Sequence, residues 1–386
     1  MEKTFTIPPK ARIIALLLIA IGAITLVFGF ISDSPRTWAV VLLNNFYFLS
    51  LALGALFFIA VQYVTESGWS TMFKRIPEAM AFFIPVAFVI MLAMFAGIRE
   101  IYTWAEPGIT VDDALIAHKA PYLNIPFFYI RLVVFFGAWM ILLPVLRRFS
   151  LREDTTGGLV WFNKSRKYSR VFIFVFVITF SIAAFDWIMS IDAHWFSTIF
   201  GLRAIISTIY FSTAAIILIV LWLRGQGYLE SMNKYHLHDF SRYLFRLSIV
   251  YGYLWFVQYL IIWYANLPET TFYFVYRLEE PWTPIFYADL IINWTIPFTV
   301  LMSDAMGRNK IVLATVSILL LIGFYLSLFL QIMPGALGTF HFGFLEIGSF
   351  AGFGGLFILT FMHMLSKASL IPENHPYLKE SLQHHL

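Results

Sequence analysis

The amino-acid sequence predicts an all-α polytopic membrane protein, and three observations carry this prediction. Hydrophobic residues make up 60% of the 386 residues and charged residues only 12%, about half the charged fraction of a soluble domain. Ten apolar runs are each long enough to cross a bilayer, which takes about 20 helical residues. Lysine and arginine gather on one side of these runs, as in membrane proteins of fixed orientation.

The predicted spans follow one another along the chain with short connections. The first run is interpreted as a retained span, because it is too long for the core of a signal peptide and no A-x-A-like cleavage site follows it. The ten spans cover residues 12–32, 38–63, 79–98, 125–147, 169–191, 197–224, 243–266, 284–304, 310–333 and 341–365.

Basic residues predict the orientation of these spans. With ten spans both termini lie on one side of the membrane, and 20 of the 26 Lys and Arg residues fall in segments on that side, against four on the other. An excess of positive charge marks the cytoplasmic side. We therefore expect both termini in the cytoplasm.

Two segments on the inner side are predicted to lie outside the spans. Residues 66–78 are expected to form a short helix in the membrane interface, because Trp69, Phe73 and Ile76 share one face and basic residues lie beside it. Residues 366–386 contain two prolines and are expected to form an extended arm.

The stretch from Phe185 to Thr198, F-D-W-I-M-S-I-D-A-H-W-F-S-T, places charged residues where apolar ones are expected. It joins the fifth and sixth spans. At 1.5 Å per residue, Asp186 lies about 8 Å and Arg203 about 9 Å below the outer surface, so the two could meet. Ionisable groups at this depth are costly and indicate function. The alternative is a buried ion pair that only holds two helices together.

Further polar residues are predicted at the same level, about 6–12 Å below the outer surface. Such a layer indicates a shared cavity or a hydrogen-bonded network. The alternative is polar contacts between helices together with side chains that reach for the interface. Besides Asp186 and Arg203, the members of this outer layer are Arg131, Asn44, Asn45, Gln258, Tyr259, Asp289 and Glu346.

Charged residues of the inner half, such as Glu78, are interpreted as solvated helix ends.

Several kinds of site are excluded by the residue types present. The chain has no cysteine, which excludes disulfides, Fe–S ligation and covalent attachment of haem c. A haem between spans needs histidines on facing helices, whereas His341 and His363 lie at opposite ends of one span. No metalloprotease, P-loop or dinucleotide motif is present. The net charge of +4 comes from loops on one side and does not indicate nucleic-acid binding. The functions that remain possible are quinone binding, proton movement, solute transport and a scaffolding role.

Five motifs, in order along most of the chain, narrow this choice. With these motifs the sequence resembles the ActF family. Its members are NrfD-like membrane subunits of bacterial alternative complex III, a quinol:cytochrome c oxidoreductase. The motifs are N-N-F-Y-F-L-S-L-A-L-G-A at 44–55, S-G-W-S-T-M-F-K-R-I-P-E-A-M at 67–80, Y-L-N-I-P-F-F-Y-I-R at 122–131, D-W-I-M-S-I-D-A-H-W-F-S-T at 186–198 and W-F-V-Q-Y-L-I-I-W-Y-A-N-L-P-E at 255–269.

The resemblance implies a fold of two four-helix bundles with one flanking span at each end. Residues 1–37 would hold the amino-terminal arm and first span, and 38–191 the first bundle of spans 2–5. Residues 192–333 would hold the second bundle of spans 6–9, and 334–386 the tenth span and tail.

The resemblance also implies a location in the bacterial cytoplasmic membrane and a set of partners. These are a multihaem cytochrome c subunit, an Fe–S subunit, the sister NrfD-like subunit ActC, smaller membrane subunits and a terminal haem–copper oxidase. Haem c and Fe–S clusters would belong to the partners, and this chain would hold no redox centre. In this family the quinol site beside the Fe–S protein is usually assigned to ActC, and ActF-like chains are associated with quinone binding or a proton path.

The residues with which this chain would serve a quinone such as menaquinone, or a proton path, are those of the outer layer. Asp186 is the best proton acceptor, with Asp192 or His194 to pass the proton outward. Arg131, Arg203, Asp289 and Glu346 complete the candidate set. The competing classes are a secondary transporter, which ten spans and buried charges would also fit, and a purely structural anchor of a respiratory complex.

Overall fold

The computed structural model of the chain describes residues 4–384 and confirms the all-α polytopic prediction. Within those residues ten helical segments are long and apolar enough to cross a membrane, so the chain is a multi-pass membrane protein. Lys3, one of the basic residues on which the predicted orientation rests, lies outside the described residues. The ten spans are Pro9–Ser32, Ser34–Val64, Thr71–Ile101, Ile125–Thr156, Leu159–Ile191, Ile199–Gly225, Lys234–Ala265, Thr283–Leu301, Lys310–Leu337 and Phe344–Leu365.

Contacts between segments distant in sequence define two faces of the molecule. Thr4 pairs with Ser369, and Asn233 donates to the carbonyl of His384. These segments, with the loops after spans 2, 4 and 6, form what we call the basic face. The other ends of the spans form the opposite face, which carries the short helices Thr103–Ala105, Ile109–Asp112, Ala114–Lys119 and Pro268–Arg277.

The second and sixth spans pack against each other at the centre of the molecule. A β-carbon at Gly54 would meet the backbone of Thr208, so the glycine permits the close approach of the two helices. The Ser212 hydroxyl donates to the carbonyl of Leu51 at 2.8 Å across this contact. Small residues at a helix crossing are the usual device in membranes, where close packing replaces the hydrophobic effect.

The remaining spans surround this central pair. The second, third, fourth and fifth spans contact one another in a closed ring, and the sixth to ninth spans form a second ring. The first and tenth spans pair outside both rings and rest on the second and third. The division of the chain into two folding units at residue 191 stays a prediction.

Two spans are irregular in the middle. The third contains single 3₁₀ turns at Ala81–Phe83 and Met94–Gly97, and the eighth contains a π turn at Ile291–Thr295. A proline follows closely in two of these places, Pro85 after the first 3₁₀ turn and Pro297 after the π turn. Proline cannot donate to the carbonyl one turn before it, so local changes of helix type at these positions are expected.

Two predictions for the basic face are wrong. Residues 66–78 do not lie on the membrane surface as an amphipathic helix: Phe73, Ile76 and Arg75 are buried in the molecule, and Thr71 begins the third span. The tail is not an extended arm. It folds back, forms a helix at Leu378–Leu382, and its Ser381 hydroxyl donates to the carbonyl of Trp69 at 3.0 Å.

We expect Gly352→Ala to weaken the packing of the first span on the tenth. A β-carbon at Gly352 would lie 2.6 Å from the Cα of Gly22, which is backbone and cannot move aside. Overpacking of this kind costs about 1–3 kcal/mol. Gly354→Ala is the matched control, because its β-carbon would meet only Phe48 at 3.7 Å. Thermal unfolding in detergent should show a lower midpoint for Gly352→Ala alone, and equal midpoints would contradict this packing.

Candidate functional site

The buried charges near the opposite face form separate ion pairs, each between different spans or loops. Arg131 pairs with Asp186 at 2.6 Å and Arg203 with Asp289 at 3.5 Å. The predicted depths allowed Asp186 and Arg203 to meet, but each has a different partner. Two further pairs, Arg36–Glu346 at 2.7 Å and Arg277–Asp192 at 2.9 Å, lie at the same face.

The pair of Arg131 and Asp186 joins the fourth and fifth spans. Arg131 Nε donates to Asp186 Oδ2, and Arg131 Nη1 donates to the carbonyl of Tyr122. The Tyr122 ring stacks on the guanidinium, 3.9 Å from its carbon, and Phe127 lies on it at 4.4 Å. These contacts fix the arginine. They leave Arg131 Nη2 and Asp186 Oδ1 buried without hydrogen-bond partners.

A cavity of about 330 Å³ opens beside Asp186 at the opposite face. Its volume is at the lower end of the range for small-molecule sites. Its walls are mostly aromatic and apolar, with a few polar groups. The lining residues are His118, Lys119, Pro121, Tyr122, Leu123, Phe185, Asp186, Met189, Ser190, Ala193, Trp195 and Phe196.

The polar groups of this cavity are fixed by the loop between the fifth and sixth spans and by the loop before the fourth. Ser190 donates to the carbonyl of Asp186 and accepts from Trp104 Nε1. Lys119 Nζ donates to the carbonyl of Ala193 at 2.6 Å, and burial lowers the pKa of this lysine. Burial, and then the nearby Asp186 carboxylate, raise the pKa of Tyr122 to about 12, so its hydroxyl stays protonated at neutral pH.

The residues expected to pass a proton outward are placed elsewhere. His194 is half exposed and its Nε2 lies 2.6 Å from Asp113 Oδ2. A backbone hydrogen bond from Ile116, together with His194, lowers the pKa of Asp113. Asp192 is held by Arg277, and neither Asp192 nor His194 lines the cavity of Asp186. The exposed ionisable residues of that cavity are His118 and, in part, Lys119, which sequence reasoning missed.

The carboxylate of Asp289 is saturated with hydrogen bonds. Oδ1 accepts from Tyr251 at 3.1 Å and Asn293 at 2.7 Å, and Oδ2 accepts from Trp255 at 3.1 Å in addition to Arg203. Gln258 Oε1 accepts from Arg203 at 3.0 Å. All of these groups are buried, and no lone pair is left for a ligand or a proton. The arrangement is suited to joining the sixth, seventh and eighth spans.

Glu346 is held through both carboxylate oxygens. Its two oxygens accept from Arg36 at 2.8 and 2.7 Å, and the backbone N–H of Gly343 donates to it at 2.7 Å. Glu346 borders a second cavity of about 550 Å³ between the second, sixth, ninth and tenth spans, but the other lining residues are almost all apolar. The ion pair of Arg36 and Glu346 therefore closes the end of a groove lined by apolar side chains.

The remaining residues of the expected layer join helices. Asn44 donates to Ser349 at 3.0 Å and Asn45 to the carbonyl of Ala87 at 3.1 Å, which links the second span to the tenth and third. Tyr259 packs against the rings of Trp255 and Phe274. For these three residues the alternative interpretation, polar contacts between helices, describes the structure better than a cavity.

A second cluster of charges lies at the basic face, where sequence reasoning expected solvated helix ends. Glu78 is only 5% exposed and binds Arg75, Arg147 and the hydroxyl of Ser150. Arg75 also binds Asp154. Lys74 donates to Glu153 at 2.9 Å and to Tyr63 at 3.1 Å. Three cations thus balance three carboxylates, as burial requires.

The tail covers this cluster, which explains why its members are buried. Asn374 donates to the carbonyl of Asp154, and His375 Nε2 lies 3.9 Å from Glu153 Oε1, which has no hydrogen-bond partner. Burial, and then the charge of Lys74, lower the pKa of His375 to about 2, so the docked imidazole is neutral. Tyr377 packs beside it and donates to Glu66 at 3.0 Å.

No family model matches the sequence, and no curated protein matches it. Among residues 4–384, no group of three or more His, Cys, Asp or Glu side chains is placed to hold a metal ion. The resemblance of the five motifs to the ActF family stays a prediction.

We expect the docking of the tail to weaken in acid because of His375. The docked state holds its pKa far below the ordinary value of about 6.5. Docking is therefore at full strength above pH 6.5. Below that pH the equilibrium constant for docking falls by about tenfold per pH unit. Hydrogen exchange of the amides at 375–384, corrected for intrinsic rates, should rise between pH 7.5 and 5.5. His375→Gln should reduce this rise, and the remainder belongs to His236, which is buried against the carbonyl of Ser381 in the same tail. An unchanged pH response in that variant would contradict the assignment.

Proposed function

We propose that this chain is an integral membrane subunit of a quinol:electron-acceptor oxidoreductase complex of the alternative complex III type. In this proposal the cavity beside Asp186 receives a quinol headgroup or the protons released from it. The observation that carries the proposal is the buried carboxylate of Asp186, which lines an aromatic cavity, has no hydrogen-bond partner of normal geometry on Oδ1 and interacts with Tyr122. The motif resemblance supplies the reaction class.

The cavity has the chemistry that a quinone ring requires. Flat rings stack on aromatic side chains, and Tyr122, Phe185 and Trp195 line the site. Trp195 Nε1 is buried without a hydrogen-bond partner, so it can donate to a ring oxygen. Asp186 Oδ1 can accept from a hydroxyl. A site with a few polar groups in apolar walls is typical of small-molecule recognition.

In this proposal, the residues of this chain bind and orient the quinol and move the protons that it releases. Oxidation of a quinol releases two electrons and two protons, and the electrons pass to redox centres in partner subunits. Asp186 accepts a proton at Oδ1, while Arg131 holds the carboxylate in place through Oδ2. His118 lines the same cavity and is exposed, so it offers the next acceptor toward the opposite face. In this proposal that face is periplasmic and both termini are cytoplasmic.

We expect the tagged chain to purify from its native membrane together with proteins that carry haem c and Fe–S clusters. It has no cysteine to hold either group, so the isolated chain should show no haem absorbance. The measurement is a visible spectrum and a mass-spectrometric inventory of the complex before and after mild dissociation. A transporter would purify without these partners, and haem that stays with the isolated chain would also contradict the proposal.

We expect Asp186→Asn to lower quinol oxidation or its coupled proton release in the assembled complex. Loss of a positioned general base typically costs about a hundredfold or more in rate. The matched control is Asp289→Asn, which also leaves a buried arginine without its carboxylate but alters a saturated pair away from the cavity. Any loss of assembly should be similar in the two variants. The measurements are quinol turnover and proton release per assembled complex.

A labelled quinone distinguishes the two roles of the cavity. A photoreactive quinone that labels residues 185–196, and is displaced by unlabelled quinone, indicates direct binding. Loss of proton release without such labelling indicates a proton path. Turnover and proton release that are the same in Asp186→Asn and Asp289→Asn would exclude both roles.

A further inference from the structure

A cleft at the basic face carries an inference that is independent of the quinone cavity. It has a volume of about 470 Å³ and lies between the first turn of the first span, the third span and the last turn of the tenth span. Its walls combine apolar side chains with two nitrogen-bearing side chains and one hydroxyl. The lining residues are Ile7, Arg12, Phe82, Leu359, Thr360, His363 and Met364.

The packing of the first span on the tenth places Arg12 and His363 at one level. The helices run antiparallel, with Gly22 against Gly352 and the carbonyl of Ala15 against Gly355. Arg12 is three residues from the start of its helix, and His363 is two residues from the end of its own. At 1.5 Å per residue, both lie within about 5 Å of the ends of their spans. This is the level of lipid headgroups.

Arg12 and His363 differ from the buried basic side chains of this face. Arg75, Arg147 and Lys74 each bind a carboxylate. Neither Arg12 nor His363 has an ion-pair partner within residues 4–384, and no carboxylate lines the cleft. An exposed guanidinium with nothing to neutralise it, above an apolar floor, matches a ligand that has an anionic head and a hydrocarbon tail.

We propose that this cleft binds an anionic phospholipid. The guanidinium of Arg12 holds the phosphate, since its planar fork matches phosphate oxygens. The imidazole of His363 and the hydroxyl of Thr360 supply further hydrogen bonds. An acyl chain lies along Phe82 and Leu359 toward the membrane interior. The absence of a carboxylate in the lining favours a lipid without an ammonium group.

A bilayer lipid fits the position better than a soluble phosphate ester. The outward side chains of the first span beside the cleft are apolar, with Ile13 and Leu17 each more than half exposed, so this surface faces hydrocarbon. The bound lipid would contact the first, third and tenth spans together. The lipid would thereby stabilise the position of the first span, which otherwise packs mainly on the tenth.

The test uses the full chain in its complex, in nanodiscs that contain equal amounts of phosphatidylglycerol and phosphatidylcholine. Native mass spectrometry after release should show one phosphatidylglycerol retained. Arg12→Gln should weaken retention about fivefold, the effect of removing one cation near a membrane surface. Arg12→Lys should keep most of it, and His363→Gln should lose part. Arg246→Gln is the control, because it removes an exposed arginine of the same face outside the cleft.

Several outcomes would overturn the proposal. Equal retention of the two lipids would show that the headgroup charge is not recognised. Equal losses in Arg12→Gln and Arg246→Gln would place the effect outside the cleft. Displacement of the lipid by inorganic phosphate alone would indicate a site for soluble anions. If Arg12→Gln does not assemble, Arg12→Lys and His363→Gln decide the question, and unchanged retention in both would reject the site.

Discussion

The structure depends on one constraint, that a charge buried within a membrane protein needs an opposite charge beside it. The cost of an unpaired charge at this depth is several kcal/mol. Arg131, Arg203 and Arg277 each meet a carboxylate from another span or loop, and Arg36 meets Glu346 across the ends of the second and tenth spans. At the basic face three cations meet three carboxylates. These pairs, together with close packing at glycines such as Gly54 and Gly352, determine which helices are neighbours, because apolar side chains gain little by exchanging lipid for protein.

Within this scheme, two aspartates of the opposite face differ in one respect that bears on function. Asp289 receives four hydrogen bonds, counted over both oxygens. Asp186 receives a hydrogen bond on one oxygen only and lines a cavity with the other unpaired. Other buried atoms of the described residues also lack partners, Glu153 Oε1 and Asp154 Oδ1 among them, so it is the aromatic cavity beside Asp186 that distinguishes this carboxylate. Among residues 4–384, Arg12 is exposed and has no ion-pair partner, whereas Arg75 and Arg147 of the same face each bind a carboxylate.

The sequence was sufficient to predict ten spans, but not the partners of the buried charges. Span length follows from bilayer thickness, whereas the depth of Asp186 and Arg203 below the membrane surface stays a prediction. Pairing depends on which way each helix faces, and one sequence carries little information on that. The basic-face cluster was missed because Glu78 is near a helix end, where solvent is expected. Glu78 is buried by its partners Arg75, Arg147 and Ser150, and the tail returns to cover Asp154 of the same cluster, a contact between residues 220 positions apart.

A double-mutant cycle tests the pairing of Asp186 most directly. Stability of the assembled chain would be measured by thermal unfolding for Arg131→Gln, Asp186→Asn and the double variant, and for a second cycle with Arg203→Gln in place of Arg131→Gln. The structure predicts a coupling of about 0.5–3 kcal/mol between Arg131 and Asp186, and additive effects for Arg203 and Asp186. Strong coupling of Asp186 to Arg203, with none to Arg131, would contradict the arrangement of the fourth, fifth and sixth spans on which the account of the cavity depends.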